Sequence, residues 1–112
     1  MKSDSQLYKG VLSTIILKLL KENGKMYGYE ITKKVKETTN QEINLTEGAL
    51  YPALHKLEAE GLLDVKIEHI DNRPRKYYSL TKKGKSATTI KLEEFTAFIS
   101  QMNLLLDLKL AN

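Results

Sequence analysis

The sequence predicts a mainly α domain with one β-hairpin, closed by a long C-terminal helix. Three observations carry this expectation. Apolar residues recur at intervals of three and four in three early stretches, they alternate with polar ones between Leu63 and Glu68, and a heptad-like apolar stripe runs through the C-terminal part. The chain has 112 residues, 41% of them hydrophobic. That suffices for one small core, which removes roughly 60–65% of the unfolded surface from water. A core this thin commonly gains stability by pairing, so a homodimer is expected on size alone.

The elements follow in order. Leu7, Tyr8, Val11, Leu12, Ile15, Ile16, Leu19 and Leu20 line one face of a first helix running from Leu7 to Leu20. Asn23-Gly24 supplies the tolerance of positive φ at which such a helix stops. Tyr27, Ile31 and Val35 make a second helix, which Thr38, Thr39 and Asn40 break. Asn44 or Thr46 is placed to cap a third helix, Glu47 suits its positive dipole end, and the helix runs to about Glu60. On its wheel Leu50, Leu54 and Leu57 fall within about 60° of one another, with Gly48, Pro52, His55, Lys56 and Ala59 opposite. That opposite side is small and little charged for a solvent face. Pro52 breaks a local rule: it removes one backbone bond and clashes with the carbonyl of Gly48 at a cost of about 3 kcal/mol, so a bend is expected there.

Gly61 ends the third helix. Leu63, Val65 and Ile67 then alternate with Asp64, Lys66 and Glu68, the mark of a strand with one buried face. A turn at Asp71-Asn72-Arg73-Pro74 and a second strand from Lys76 to Leu80 complete the hairpin. Thr81 caps a last helix reaching about Leu110. On it Leu92, Phe95, Ile99, Met102 and Leu106 repeat over two heptads, and Phe98 and Leu105 widen the stripe. So small a domain leaves that stripe little to cover internally. Residues 81–112 are therefore read as a dimerisation helix that follows a domain of residues 1–80.

Charge is concentrated in one place. Residues 72–92 hold seven Lys or Arg and no Asp or Glu; the chain's net charge is +4, so removing this window's +7 leaves the rest at −3. A structured block of like charge repels itself, and its natural partner is a polyanion, nucleic acid first. Three helices, a basic hairpin and a final helix, in this order, describe a winged helix-turn-helix, in which one helix enters the DNA major groove and the hairpin touches the adjacent backbone. The third helix is then the reader and residues 1–80 the DNA-binding domain. Gly48, Ala49 and Ala59 let the helix approach the groove walls, while Thr46, Glu47, Tyr51, His55 and Lys56 stand where phosphates and base edges would lie. Arg73, Arg75 and Lys76 sit at or beside the hairpin tip, where a wing meets phosphate oxygens or the minor groove, and Pro74 stiffens it. Lys82, Lys83 and Lys85 are weaker candidates, because lysines are unfavourable in a helix's first turn. A solvated helix face and a solvated basic loop are the plain alternatives, and the adjacency of the two features favours binding.

Three blocks carry a resemblance. Tyr27-Gly-Tyr-Glu-Ile, then Glu47-Gly-Ala-Leu-Tyr-Pro-Ala-Leu-His-Lys-Leu-Glu-Ala-Glu-Gly-Leu62, then Arg73-Pro-Arg-Lys-Tyr-Tyr-Ser-Leu-Thr-Lys-Lys-Gly84 resemble the PadR family of bacterial transcriptional regulators. The resemblance covers residues 7 to about 90, and the single helix after the hairpin is similar to the smaller PadR subfamily that includes multidrug-responsive regulators. It implies a homodimer joined through the last helix and bound to a palindromic operator in double-stranded DNA, usually as a repressor released by a small molecule. It also places Tyr51 and its neighbours in the reading helix and Arg73, Arg75 and Lys76 in the wing. Tyr27, Tyr29 and Tyr78 match family tyrosines, for which core or helix-contact duty is expected, because tyrosine packs its ring and donates its hydroxyl. The drug-binding relatives carry a tryptophan on the last helix that stacks flat ligands at the dimer centre. This chain has no Trp, which leaves Phe95 and Phe98 as the aromatic residues near that place for a small hydrophobic effector.

Other classes find little support. His55 and His69 fall in different elements with no spacing that suits a metal pair or a nucleophile and its base, and no glycine-rich phosphate loop is present. No catalytic site, metal or cofactor is expected. The lack of Cys excludes disulfides and thiolate metal sites. The start, Met1-Lys-Ser-Asp-Ser-Gln, lacks the apolar stretch of a secretory signal, and no apolar run nears the ~18 residues of a membrane span, so a cytoplasmic protein without membrane contact is expected. The alternative within the same fold is a winged-helix dimer that serves protein assembly without DNA, and the basic wing argues against it.

Overall fold

The structure, a computed structural model, describes residues 8–109. Leu7 and Leu110, the expected ends of the first and last helices, lie outside the described residues. In chain order the elements are α1 (Leu12–Asn23), β1 (Lys25–Met26), α2 (Gly28–Thr38), α3 (Glu47–Ala59), β2 (Leu63–Ile70), β3 (Arg73–Leu80) and α4 (Lys82–Leu106). The strands form one antiparallel sheet in the order β1-β3-β2. The mainly α architecture with a hairpin is thus the expected one. β1 is an addition, a short strand that pairs Lys25 with Ser79 and Met26 with Tyr78.

Helix ends follow local chemistry. The first helix is not continuous from its expected start: a turn at Gly10 and Val11 interrupts it, and α1 begins only at Leu12. Glycine inside a helix costs about 0.5–1 kcal/mol against alanine, which makes Gly10 a natural interruption. At its other end α1 runs past Leu20 to Asn23, where Gly24 at φ 83° stops it. Tyr27 is not the first buried helical residue expected of it but the N-cap of α2, its N–H donating to Glu30 Oε1 at 3.1 Å. Gly61, at φ 78°, closes α3 in a Schellman arrangement: its N–H donates to the Glu58 carbonyl and the Leu62 N–H to that of Leu57.

The core is assembled from the stripes read in the sequence. Ile16, Leu17 and Leu20 of α1, Ile31 of α2, and Leu50, Leu54 and Leu57 of α3 are almost fully buried, with Tyr78 of β3 among them. Each such side chain contributes roughly 1.5–3 kcal/mol of burial.

The hairpin departs from expectation in two ways. Its turn is only Asp71-Asn72, both left-handed at φ 52° and 63°, so Arg73 and Pro74 belong to β3 rather than to the turn. Asp and Asn tolerate that conformation, and two left-handed residues match the twist of the strands. The pair closing such a turn, Ile70 with Arg73, is hydrogen-bonded, which makes the next pair, His69 with Pro74, a non-bonded one. Proline's missing donor therefore faces away from β2, on an edge that β1 does not reach. Burial is the second departure. Leu63 is buried and Val65 half-buried as expected, but Ile67 is 58% exposed, because the hairpin runs out beyond the core.

One junction ties the parts together. Thr81 donates its N–H to the Leu62 carbonyl at 3.0 Å and its hydroxyl to the Gly61 carbonyl at 2.7 Å, while that hydroxyl accepts from Gly84 N–H at 2.9 Å to cap α4. A Cβ added at Gly84 would lie 2.0 Å from the Leu62 carbonyl oxygen. Backbone cannot yield as a side-chain tip does, so Gly84→Ala is expected to cost roughly 3 kcal/mol. A urea titration should show a lowered midpoint with unchanged slope; an unchanged midpoint would mean that α4 does not press on Leu62.

Candidate nucleic-acid interface

α3 is capped by Thr46, whose side-chain oxygen accepts from Ala49 N–H at 3.2 Å, with Glu47 in the first turn. Asn44, the other expected cap, instead donates its amide to the Gln41 carbonyl at 3.2 Å. The helix stays one element through Pro52. Thr46, Glu47, Gly48, Tyr51, Pro52, His55, Lys56 and Ala59 are all exposed, whereas Ala49 is half-buried against the core. The glycine and proline side is therefore an open surface of the chain. Among the described residues only Thr46 Oγ1, at 4.0 Å, comes near the place a Cβ on Gly48 would take.

Tyr51 links this helix to its neighbour. Its hydroxyl stands 2.6 Å from where a Gly28 Cβ would be, so Gly28 is the residue that lets the ring lie against the start of α2. On the other side the ring leans toward His55, centroids 6.5 Å apart. The residue before Gly28 is Tyr27, and over its ring sits the Arg75 guanidinium at 4.6 Å. Tyr27 in turn meets Tyr77 edge-on at 5.4 Å and stacks with Tyr29 at 6.2 Å. Tyr51, Gly28, Tyr27 and Arg75 thus form one unbroken run from the third helix to the hairpin. The two candidate DNA-facing elements are thus linked at the first turn of α2.

Strand alternation sorts the basic residues. Arg73, Arg75 and Tyr77 share one face of β3; Lys76 lies on the other, opposite Ile67. Arg73 and Lys76 are exposed, while Arg75 is half-buried by its aromatic platform. Lys82 and Lys85 are exposed in the first turn of α4, and Lys83 is tied to the Glu60 carbonyl at 3.0 Å. The tyrosines divide as well. Tyr78 is core, as expected, but Tyr29 is 63% exposed and does not have core duty; its ring stacks on that of Tyr27. Sequence reading missed Tyr77 and Lys25, which join the cluster because β1 brings Lys25 to the sheet edge, its ammonium 5.1 Å from the Tyr77 ring and 2.5 Å from Glu68.

Electrostatic shifts are few. The hydrogen bond to Glu68 holds the Lys25 ammonium above its ordinary range, against a smaller opposing effect of desolvation. Burial pushes the Tyr78 phenol up, with Glu58 and Tyr51 adding to it. His55 and His69 are exposed on separate elements. Among the described residues no group of His, Cys, Asp or Glu is arranged to hold a metal ion, and no helix is long and apolar enough to cross a membrane.

α4 carries the second feature. Of its apolar stripe, Leu92, Phe95 and Met102 are half-buried, whereas Phe98, Ile99, Leu105 and Leu106 are exposed. Ile90 and Leu104, absent from the stripe as read by heptads, are exposed too, Leu104 at 85%, as is Leu108 beyond the helix end. Phe95 and Phe98 stack at 6.4 Å and, with Gly10, Val11 and Thr14, line a shallow open cleft of about 290 Å³.

Residues 16–90 match the family described as the transcriptional regulator PadR-like family. A transcriptional regulator of Mycobacterium tuberculosis is 40% identical over 53 residues, 47% of this chain and half of that protein's length. Among solved structures, a transcriptional regulator from Clostridium thermocellum has a TM-score of 0.81 at 32% identity, covering 88% of this chain and 96% of that one. A PadR family transcriptional regulator from Eggerthella lenta has a TM-score of 0.79 at 27% identity, covering 93% and 88%.

The open surroundings of Gly48 separate fold from function. Gly48→Ala is expected to stabilise the fold by about 0.5–1 kcal/mol, because alanine gives up less backbone freedom on folding than glycine does. A raised urea midpoint checks this, and a lowered one would reveal a neighbour pressed against that face.

Proposed function

This chain belongs to the PadR-like family of transcriptional regulators, and from that premise we propose that it binds a specific double-stranded operator as a homodimer. One observation carries the reading. The third helix and Arg75 of the hairpin are linked by the contact of Tyr51 with Gly28 and the stack of Arg75 on Tyr27. A helix entering the major groove and a wing on the flanking backbone need a common orientation. Thr46, Gly48, Tyr51, His55 and Lys56 would face the groove, with Glu47 at the helix entrance; Arg73, Arg75 and Lys76 would meet the phosphates.

The apolar face of α4 supports the dimer. Phe98, Ile99, Leu105 and Leu106 stand exposed in a single chain, and a second copy laid against the stripe removes them from water. Twofold symmetry then makes the operator a palindrome, its half-sites about one helical turn apart, near 34 Å. The cleft beside Phe95 and Phe98 is smaller and more open than a usual ligand pocket, and closing it against a partner would place a small hydrophobic effector at the dimer centre. Release of a repressor by such a molecule, in the cytoplasm, is the regulatory form proposed.

Four outcomes test this reading. Duplex DNA from upstream of the chain's own gene should bind with an affinity that falls steeply with salt. Arg73→Ala with Arg75→Ala should weaken every sequence and flatten the log-log salt slope by about 0.9 for each phosphate that is no longer neutralised; an unchanged slope removes the wing from the interface. Gly48→Ala should bind less tightly while folding more stably. For the dimer, Leu105→Glu should halve the mass seen by light scattering at micromolar concentration, and an unaltered mass would place the interface elsewhere.

A further inference from the structure

Glu68 and Arg75 are direct cross-strand partners on one face of the hairpin. Opposite charges in that relation attract, and a guanidinium matches a carboxylate better than an ammonium does. The expected pair is nevertheless not made. Glu68 is held by Lys25 at 2.5 Å, from the strand on the far side of β3, and among the described residues Arg75 makes no ion pair. Arg75 lies over Tyr27 and Lys25 over Tyr77, the two rings meeting edge to face. A stacked guanidinium keeps the N–H groups at its rim available to a planar or phosphate acceptor.

We infer that Lys25 is a positioning residue for DNA binding: it occupies the Glu68 carboxylate, and so keeps the Arg75 guanidinium on its tyrosine platform, unpaired and ready for a backbone phosphate. Without Lys25, Glu68 would take Arg75, and DNA would have to break that pair before it could bind. The inference rests on the wing reading above and adds to it a residue that does not itself touch the nucleic acid. Lys25 is well exposed on a two-residue strand, so its replacement leaves the core untouched.

A double-mutant cycle in the full-length chain tests this, read by fluorescence anisotropy with a duplex from upstream of its own gene. Lys25→Met should weaken binding roughly two- to five-fold, the range of one exposed ion pair. Glu68→Gln alone should bind at least as well as the unaltered protein, and the double variant should match Glu68→Gln. If instead the double variant is weaker than Glu68→Gln by the full Lys25→Met factor, Lys25 contacts DNA directly and the inference is overturned. The NMR resonance of the Arg75 Nε–H gives a readout without DNA: it should move in Lys25→Met and return in the double variant, and a resonance that stays put overturns the inference as well. Failure of the unaltered protein to bind any duplex would instead refute the proposed function, and the inference with it, which distinguishes the two failures.

Discussion

The positions of the functional elements depend on the junction around Thr81. One threonine closes three elements: its N–H and hydroxyl satisfy the carbonyls of Leu62 and Gly61 just beyond α3, and its oxygen caps α4. Each such bond contributes about 0.5–1.5 kcal/mol net. Gly84 permits the close approach, since no side chain intervenes between α4 and the Leu62 carbonyl. The third helix, the root of the hairpin and the start of the long helix therefore share one anchor. Where α3 points, where the hairpin extends and where α4 departs are consequences of the same few hydrogen bonds.

A second link, made of aromatic rings, joins the far ends of those elements. The hairpin extends past the core, so its outer half receives no hydrophobic support from the helices, as the exposure of Ile67 shows. What steadies it is lateral: Tyr77 against Tyr27, and Arg75 above Tyr27 at the first turn of α2. Aromatic pairs and cation–π contacts of this kind each contribute about 0.5–1.5 kcal/mol, modest against the core but directed. They orient a charged element without burying its charge. In the proposed reading, a surface that presents cations to DNA uses that combination of rigidity and accessibility.

α4 is divided in two. Its first turns, around Gly84 and Thr88, are buried against the domain, while its later turns carry an apolar face that the single chain does not cover. The division falls where the helix outgrows the core. In the proposed reading, DNA contact and self-association fall to opposite ends of one small fold.

Much of this was legible in the residues. The 3–4 spacing of Leu50, Leu54 and Leu57 placed the buried side of α3 and hence its open side, and Thr46, Gly61 and Thr81 announced helix ends through capping chemistry that acts within a few residues. Local rules also misled. They made Arg73-Pro74 part of the turn because proline is a turn signal, whereas the two left-handed residues Asp71 and Asn72 suffice to reverse the chain. They gave Ile67 a buried face because alternation reports which side a residue takes, not whether anything lies there. The β1–β3 pairing, the Gly28–Tyr51 contact, the Tyr27–Arg75 stack and the capture of Glu68 by Lys25 join residues 23 to 54 positions apart in the chain, and no periodicity encodes such meetings. The sequence by itself determined the elements, their inward faces and the concentration of positive charge, all of which depend on spacing along the chain. Which arginine is stacked, which lysine holds the carboxylate and which side of the hairpin meets the third helix were decided only by the tertiary structure, because those contacts exist only once distant segments share the same space.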